Sequence, residues 1–277
     1  MKQERDWTGG IGLKVALIAS DLDGTFLRDD HQFDRPRFQA QLDRLTANGQ
    51  HFAVASGNQL QHCIDVFDGI KGELTYVAEN GGLVVDNHGH VLSESLLTPA
   101  VLQALLNFVW TEPTLAGASA SLSGKNGAYI RPQDDSKLMQ YYLSNLSVVD
   151  DLAAVDDHIY KATFSWQDRD ADRHAAIIND HFAGQLRATV SGYGGLDVIA
   201  PNVDKAFGLA FLQRHWNVSA SQTAAFGDNG NDLEMLREAD YSYAMRNAIP
   251  RVKAMANYET KLDNNHDGVL DTIDGLI

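Results

Sequence analysis

Two aspartates follow a short apolar run near the start of the chain. Asp21-Leu22-Asp23-Gly24-Thr25 follows the run Val15–Ala19 after one residue, Ser20, and such a run bounded by turn residues predicts a buried strand of a parallel sheet. Ligands bind such sheets just beyond the carboxyl ends of the strands. Two carboxylates crowded there need a cation, and Mg²⁺ prefers hard oxygen ligands. One carboxylate could attack an electrophile while the other transfers protons, although Asp and Gly are also ordinary turn residues.

Three further segments carry complementary chemistry. Ser56-Gly57-Asn58 follows the apolar run 51–55, and its hydroxyl and backbone N–H groups could hold phosphate oxygens at a helix start. Lys205 opens a helical pattern and could neutralise charge on a phosphoryl group or a nucleophile. The apolar run 223–226 opens into a loop with two carboxylates and an amide, namely Asp228, Asp232 and Asn231. Each segment alone is compatible with a turn or a solvated side chain, but all four in this order indicate one site.

In these four motifs the chain resembles the haloacid dehalogenase superfamily of phosphatases. The segment Ala78–Gly82 also matches the Cof-type (IIB) subfamily, and Val190–Gly194 and Asp263–Gly268 are most similar to its bacterial sugar phosphatases. The resemblance covers the chain from about residue 14 onward. It implies an α/β fold: a Rossmann-like, doubly wound parallel sheet core with an inserted α+β cap domain of type C2.

The resemblance also implies a role for each motif residue. Asp21 would attack phosphorus and form an aspartyl-phosphate, Asp23 would act as general acid and then base, and Lys205 would neutralise charge. Mg²⁺ would be held by the Asp21 carboxylate, the Asp23 main-chain carbonyl and Asp228, with Asp232 in the second shell. The residues expected to bind the phosphate or the leaving group are Thr25, Ser56, Gly57, Asn58, Asn80, Tyr193 and Asn231.

Composition narrows the choice of partners. The chain has 277 residues, 44% hydrophobic and 21% charged, with a formal net charge of −15, so neither nucleic acid nor an anionic membrane surface is an expected partner. A metal ion and Lys205 would have to make the electrostatic potential at the site positive enough to bind a phosphorylated small molecule. The single cysteine, Cys63, excludes an internal disulfide and favours the cytoplasm, and the polar start with Glu4 and Asp6 does not predict a secretory signal.

The order of predicted elements indicates a discontinuous core. A helix is predicted from Asp34 to Gly49 and a hairpin around the turn Asp86–Gly89. Mixed elements follow, with helices near 99–110, 135–146 and 168–182 and strands near 127–131 and 158–166; the strand 196–200 then predicts a return to the core. We therefore expect a catalytic core at 13–85 and 191–277, a cap at 86–190 and a flexible arm at 1–12.

The sequence as a whole predicts a Mg²⁺-dependent phosphatase of small phosphorylated metabolites, with sugar phosphates preferred because of the resemblance. Asp23 favours hydrolysis, or transfer to another alcohol, over a long-lived phosphoenzyme. Phosphomutases also carry both aspartates, so the sequence excludes a mutase only weakly. One alternative is a phosphatase of another metabolite, such as a flavin-pathway or pyridoxal phosphate. Another is a non-catalytic phosphate-binding protein on the same fold, and the oligomeric state is open.

Overall fold

The computed structural model describes residues 15–191 and 194–277, which form two sheets flanked by helices. The strands of the described residues are β1 (Leu17–Ser20), β2 (His51–Ala55), β3 (Leu74–Ala78), β4 (Leu83–Val85), β5 (Val91–Glu94), β6 (Ser119–Gly124), β7 (Ala128–Ile130), β8 (Leu146–Val148), β9 (Ile159–Ser165), β10 (Arg187–Val190), β11 (Gly195–Ile199), β12 (Thr223–Gly227), β13 (Tyr241–Ala244) and β14 (Tyr258–Glu259). Their helices are α1 (Arg35–Ala47), α2 (Leu60–Val66), α3 (Pro99–Thr111), α4 (Lys137–Tyr142), α5 (Ala171–His181), α6 (Lys205–Trp216), α7 (Leu233–Arg237), α8 (Pro250–Met255) and α9 (Gly268–Ile273). No helix in these two ranges is long and apolar enough to span a bilayer.

The first sheet has eight strands in the order β14-β13-β12-β1-β2-β3-β4-β5. The strands from β14 to β3 are parallel, and β4 and β5 are antiparallel additions at one edge. Every residue of β1 and β3 is buried, as expected for parallel strands that are covered on both faces. The predicted parallel α/β core and the hairpin of β4 and β5 are confirmed.

Helix α1 shows how the sequence sets its own boundaries. The Asp34 carboxylate accepts a hydrogen bond from the backbone N–H of Arg37 at 3.1 Å, which caps the helix. At the other end Gly49 has a φ of +67°, a conformation that favours glycine. The buried stripe of Phe38, Leu42 and Leu45 packs into the main core, so the helix forms as predicted.

The second sheet has six strands in the order β10-β11-β9-β6-β7-β8, and its faces differ. Side chains alternate across a strand, so Ala162 and Phe164 of β9 join the apolar cluster that includes residues of α3 and α5. Lys161 and Thr163 belong to the opposite, polar face, where Ser123 is the partner of Lys161 and Asp197 the partner of Thr163. We call this the polar face of the second sheet.

The structure differs from the sequence prediction between residues 94 and 200. The prediction that the strand 196–200 resumes the parallel core was wrong, because β11 pairs antiparallel with β9 and β10 in the second sheet. The segment Leu196–Ile199 is apolar except for Asp197, so it resembles a core strand in the sequence. In the structure the Asp197 carboxylate lies on the polar face of the second sheet. The chain leaves the first sheet after Glu94 and the second after Ile199, whereas the predicted boundaries were at 86 and 190. The division into domains, with cap and core, stays a proposal.

Two local elements also differ. The helix predicted at 135–146 is shorter, because α4 ends at Tyr142 and β8 begins at Leu146. Strand β6 was not predicted, since its alternating serines with alanine and leucine form no apolar run. The predicted arm at 1–12 lies outside the described residues.

Candidate active site

Three loops meet at the carboxyl ends of neighbouring parallel strands. Asp21 follows β1, Ser56 follows β2 and Asp228 follows β12, and β1 pairs with both β2 and β12. The chain runs from β1 toward β2 on one side and continues from β12 toward β13 on the other. A crevice at such a reversal of strand order is where open α/β sheets bind ligands.

Lys205 lies at the centre of this crevice, at the first residue of α6. Its Nζ donates hydrogen bonds to Asp21 Oδ1 at 2.5 Å and to Asp232 Oδ1 at 2.7 Å. The side chain of Lys205 is fully buried, and burial alone would lower its pKa. The carboxylates of Asp21 and Asp232 outweigh this effect and raise the pKa, so the ammonium stays protonated.

Three carboxylates converge beside this lysine. One oxygen from each of Asp21, Asp228 and Asp232 lies within 4.8 Å of the others, and no other such acidic or His/Cys group occurs in the described part of the chain. Burial raises the pKa of Asp21 well above its ordinary value and the pKa of Asp228 to about 6, and repulsion by Asp232 adds to both shifts. Lys205 cannot balance three negative charges, and the donors are hard oxygens, so the cluster fits a divalent cation such as Mg²⁺.

The loop of Asp228 is held by its own side chains. Asp232 Oδ2 accepts hydrogen bonds from the backbone N–H groups of Asp228 and Asn229, both at 3.0 Å. The hydroxyl of Thr25 donates to Asp228 Oδ1 at 3.0 Å. Gly24 has a φ of +76°, and a Cβ there would lie 2.8 Å from Asp228 Oδ2, so glycine allows the two loops to approach.

Asp23 is the accessible carboxylate of the site. Its side chain is 39% exposed, and its Oδ2 accepts a hydrogen bond from Asn58 Nδ2 at 2.7 Å. The hydroxyl oxygen of Ser56 in turn accepts the backbone N–H of Asn58 at 3.0 Å. The loop 56–58 therefore holds a carboxylate that a ligand or water can reach.

Asn80 and Asn231 lie at the side of the crevice nearest the second sheet. Asn80 Nδ2 donates to Asp197 Oδ2 at 2.7 Å, and Asn80 Oδ1 accepts from Asn231 Nδ2 at 3.4 Å. A cavity of about 10 Å³ separates this pair from Arg187 and Thr189 of β10. Tyr193, predicted to contact the leaving group, lies outside the described residues.

Two residues of the crevice were missed from the sequence. Lys161 of β9 and Asp197 of β11 both reach the first sheet from the polar face of the second. The available signal was the alternation of β9, in which Lys161 and Thr163 separate the apolar residues Tyr160, Ala162 and Phe164.

Comparison with known proteins gives consistent results. Residues 18–273 match the haloacid dehalogenase-like hydrolase family. The chain is 36% identical, over 96% of its length and 97% of the relative's, to the 5-amino-6-(5-phospho-D-ribitylamino)uracil phosphatase of Escherichia coli (strain K12). It is 28% identical to the HMP-PP phosphatase of Cronobacter sakazakii, over 86% of each chain.

Solved structures agree with this result. The crystal structure of SMU.1108c from Streptococcus mutans UA159 matches with a TM-score of 0.88 and 32% identity, over 95% of this chain and 98% of that one. A haloacid dehalogenase-like hydrolase from B. subtilis shares the fold, with a TM-score of 0.82 at 20% identity over 95% of this chain and 100% of that one. With its four motifs gathered in one crevice, the chain belongs to the haloacid dehalogenase-like hydrolases.

Proposed function

We propose that this hydrolase is a Mg²⁺-dependent phosphatase that hydrolyses small phosphorylated metabolites, most of all sugar phosphates, through an aspartyl-phosphate on Asp21. The observation that carries the proposal is the contact of the buried Lys205 with both Asp21 and Asp232 beside Asp228. A protein that only bound phosphate would gain nothing from a carboxylate at the point of attack, because it would repel the ligand.

Each side chain of the site has a separate role in the proposed reaction. Burial raises the pKa of Asp21, Lys205 counteracts part of that shift, and the ionised Asp21 attacks phosphorus. Asp23 protonates the leaving oxygen and then takes a proton from the attacking water, and the amide of Asn58 orients its carboxylate. Ser56 and the Gly57 N–H bind phosphoryl oxygens. Thr25 orients Asp228 through its hydroxyl.

The metal would be held by the carboxylates of Asp21 and Asp228 and by the main-chain carbonyl of Asp23. When bound, Mg²⁺ supplies positive charge that stabilises the phosphoryl group in the transition state. Asp232 would not bind the metal directly, since its two oxygens accept hydrogen bonds from Lys205 and from backbone N–H groups. It fixes the position of the Asp228 loop and of the lysine.

A polyhydroxylated leaving group suits the polar face of the second sheet, which presents hydroxyl and charged side chains toward the crevice. The name of the Escherichia coli relative describes a phosphate on a ribityl chain, which is chemically a polyol phosphate. This favours a flavin-pathway substrate of that kind as the second candidate, whereas we find no contact among the described residues that favours pyridoxal phosphate. With a single cysteine, the buried Cys63, we expect a cytoplasmic enzyme.

The test is phosphate release from a panel of hexose phosphates, the phosphorylated ribitylaminouracil and pyridoxal phosphate, with Mg²⁺ or with EDTA. We expect Mg²⁺-dependent release by the wild type, a loss of at least about a thousandfold in Asp21→Asn, and no loss in Asp150→Asn, which changes an exposed carboxylate. Equal release by the wild type and Asp21→Asn would refute the nucleophile. Binding of phosphate esters without turnover would support the non-catalytic alternative.

A further inference from the structure

The turn that follows β3 has an unusual backbone. Glu79 and Asn80 both adopt left-handed conformations, with φ of +53° and +55°, and Gly81 continues with +94°. Such conformations are strained for non-glycine residues and persist only where their surroundings hold them. The N–H groups of Glu79 and Asn80 donate to the carbonyl oxygens of Asn58 and Ser56, at 3.1 and 3.0 Å. The turn is thus bound to both ends of the loop 56–58.

Lys161 reaches this turn and loop from the second sheet. Its Nζ lies 3.2 Å from Glu79 Oε2 and 3.6 Å from Asp197 Oδ2, and it donates a hydrogen bond to the carbonyl oxygen of Gly57. Its side chain is 10% exposed. This buried cation has partners from both sheets, and the reaction steps proposed above do not involve it.

The charges explain why the lysine remains in place. Burial alone would lower the pKa of Lys161, but the carboxylates of Asp197 and Glu79 together raise it. Burial raises the pKa of Glu79, and Lys161 counteracts that shift. Lys161 therefore owes its raised pKa to carboxylates from both sheets, and its two ion pairs link the sheets at this point.

The bond to Gly57 determines the geometry of the phosphate-binding loop. The Gly57 carbonyl and the Asn58 N–H belong to one planar peptide unit. Lys161 holds the oxygen of this unit, and the hydroxyl oxygen of Ser56 accepts its N–H at 3.0 Å. Asn58, which begins at this peptide, then holds the Asp23 carboxylate. Fixing one peptide therefore fixes both the phosphate-binding hydroxyl and the proton-transferring carboxylate.

We propose that Lys161 is a positioning residue of the active site, which orients the Gly57–Asn58 peptide from the second sheet and thereby sets Ser56 and Asp23. The proposal rests on the proposed function for its catalytic consequence. The positioning itself is a property of the folded chain, so it can be measured without turnover.

The test compares Lys161→Met, Glu79→Gln and the double variant with the wild type. The double variant removes the charge of the pair together, so it folds even if Lys161→Met leaves too much buried negative charge. Arg131→Met is the matched control, because Arg131 pairs with the buried Asp134 within the second-sheet region and makes no contact with the loop 56–58. Hydrogen exchange at the amides of Asn58 and Asn80 reports the order of the loop and turn.

We expect exchange at these amides to be faster by about tenfold or more in Lys161→Met and in the double variant, and unchanged in Arg131→Met. We expect kcat/KM to fall roughly 10- to 100-fold in Lys161→Met and in the double variant. The fall should be larger for a hexose 6-phosphate than for p-nitrophenyl phosphate. The nitrophenolate leaves without a proton, so it depends less on Asp23. A role in charge balance alone would instead be indicated if the double variant recovered wild-type exchange and kinetics.

The two proposals fail separately. Wild-type protein without turnover of either ester would refute the proposed sugar phosphatase, and the exchange rates of Asn58 and Asn80 would still decide the positioning. Unchanged exchange in Lys161→Met, or equal acceleration in Arg131→Met, would overturn the role of Lys161 whatever the activity.

Discussion

Replacing Asp228 by asparagine should make the metal-free protein more stable while it impairs the enzyme. Asp228 is half-buried beside two other carboxylates, and burial with repulsion by Asp232 raises its pKa from 3.8 to about 6. An acid whose pKa is raised in the folded state destabilises that state when it ionises. The loss of stability begins as the pH rises above about 4 and is complete above about 6. Asparagine keeps an oxygen that can accept the Thr25 hydroxyl, but it carries no charge.

The size of the effect follows from the shift in pKa. Each pH unit between 3.8 and about 6 corresponds to about 1.4 kcal/mol, so ionisation of Asp228 costs the metal-free protein roughly 3 kcal/mol. Because the side chain keeps partial contact with solvent, we expect Asp228→Asn to recover about 2 kcal/mol at pH 7.5. At pH 4 the two proteins should be equally stable.

The assay is urea unfolding at pH 7.5 and pH 4 in EDTA, repeated at pH 7.5 with Mg²⁺. Ligand at 100 times its Kd stabilises a folded protein by about 2.7 kcal/mol, so Mg²⁺ should stabilise the wild type and have little effect on Asp228→Asn. The order of stability should then reverse or become equal. A variant less stable than the wild type in EDTA, or one stabilised equally by Mg²⁺, would refute the reasoning. Asp150→Asn controls for the loss of an exposed charge.

Four substitutions test the packing of the first sheet and its loops by urea unfolding. Gly81→Ala would place a Cβ 2.0 Å from the Asp204 carbonyl oxygen at a φ of +94°, so it should lower the free energy of unfolding by about 3 kcal/mol or more. Gly89→Ala is the control, because Gly89 has a similar φ of +81° but open space around it, and it should cost only about 1 kcal/mol. Equal costs would contradict the close approach. Phe26→Ala removes a ring in contact with four other phenylalanines and should cost about 3–5 kcal/mol. Arg28→Met breaks a partly exposed pair with Asp267 and should cost under about 1 kcal/mol; a larger loss would show that this pair anchors the C-terminal loop.

The motifs of the first sheet could be predicted because their chemistry is local. Asp21 and Asp23 follow a buried strand directly, so strand polarity alone puts them at the ligand-binding edge of a parallel sheet. The same holds for Ser56 and Asp228. For Lys205 the sequence supplied only the start of a helix, and its contacts with Asp21 and Asp232 depend on how α6 lies against the sheet.

The contribution of the second sheet could not be predicted in the same way. Lys161 meets Gly57 across 104 residues of sequence, and this contact depends on the antiparallel register of β9 and β11. Asn80 was predicted from the resemblance to contact the leaving group, but its amide in this structure is engaged by Asp197 and Asn231. Such roles follow from the pairing of elements far apart in sequence, which apolar patterns do not encode.

Two buried lysines reconcile the acidity of the chain with a phosphorylated ligand. The formal net charge is −15, yet Lys205 and Lys161 are each almost fully buried and each lie against two carboxylates. A surface cation would be screened by water and salt, whereas a buried one acts on the crevice at low dielectric. Lys205, at the start of α6, contacts Asp21, the proposed nucleophile, and Lys161, from the second sheet, contacts the loop 56–58. The first sheet and its loops therefore contain all four proposed catalytic motifs and still lack the contact that we propose orients the Gly57–Asn58 peptide.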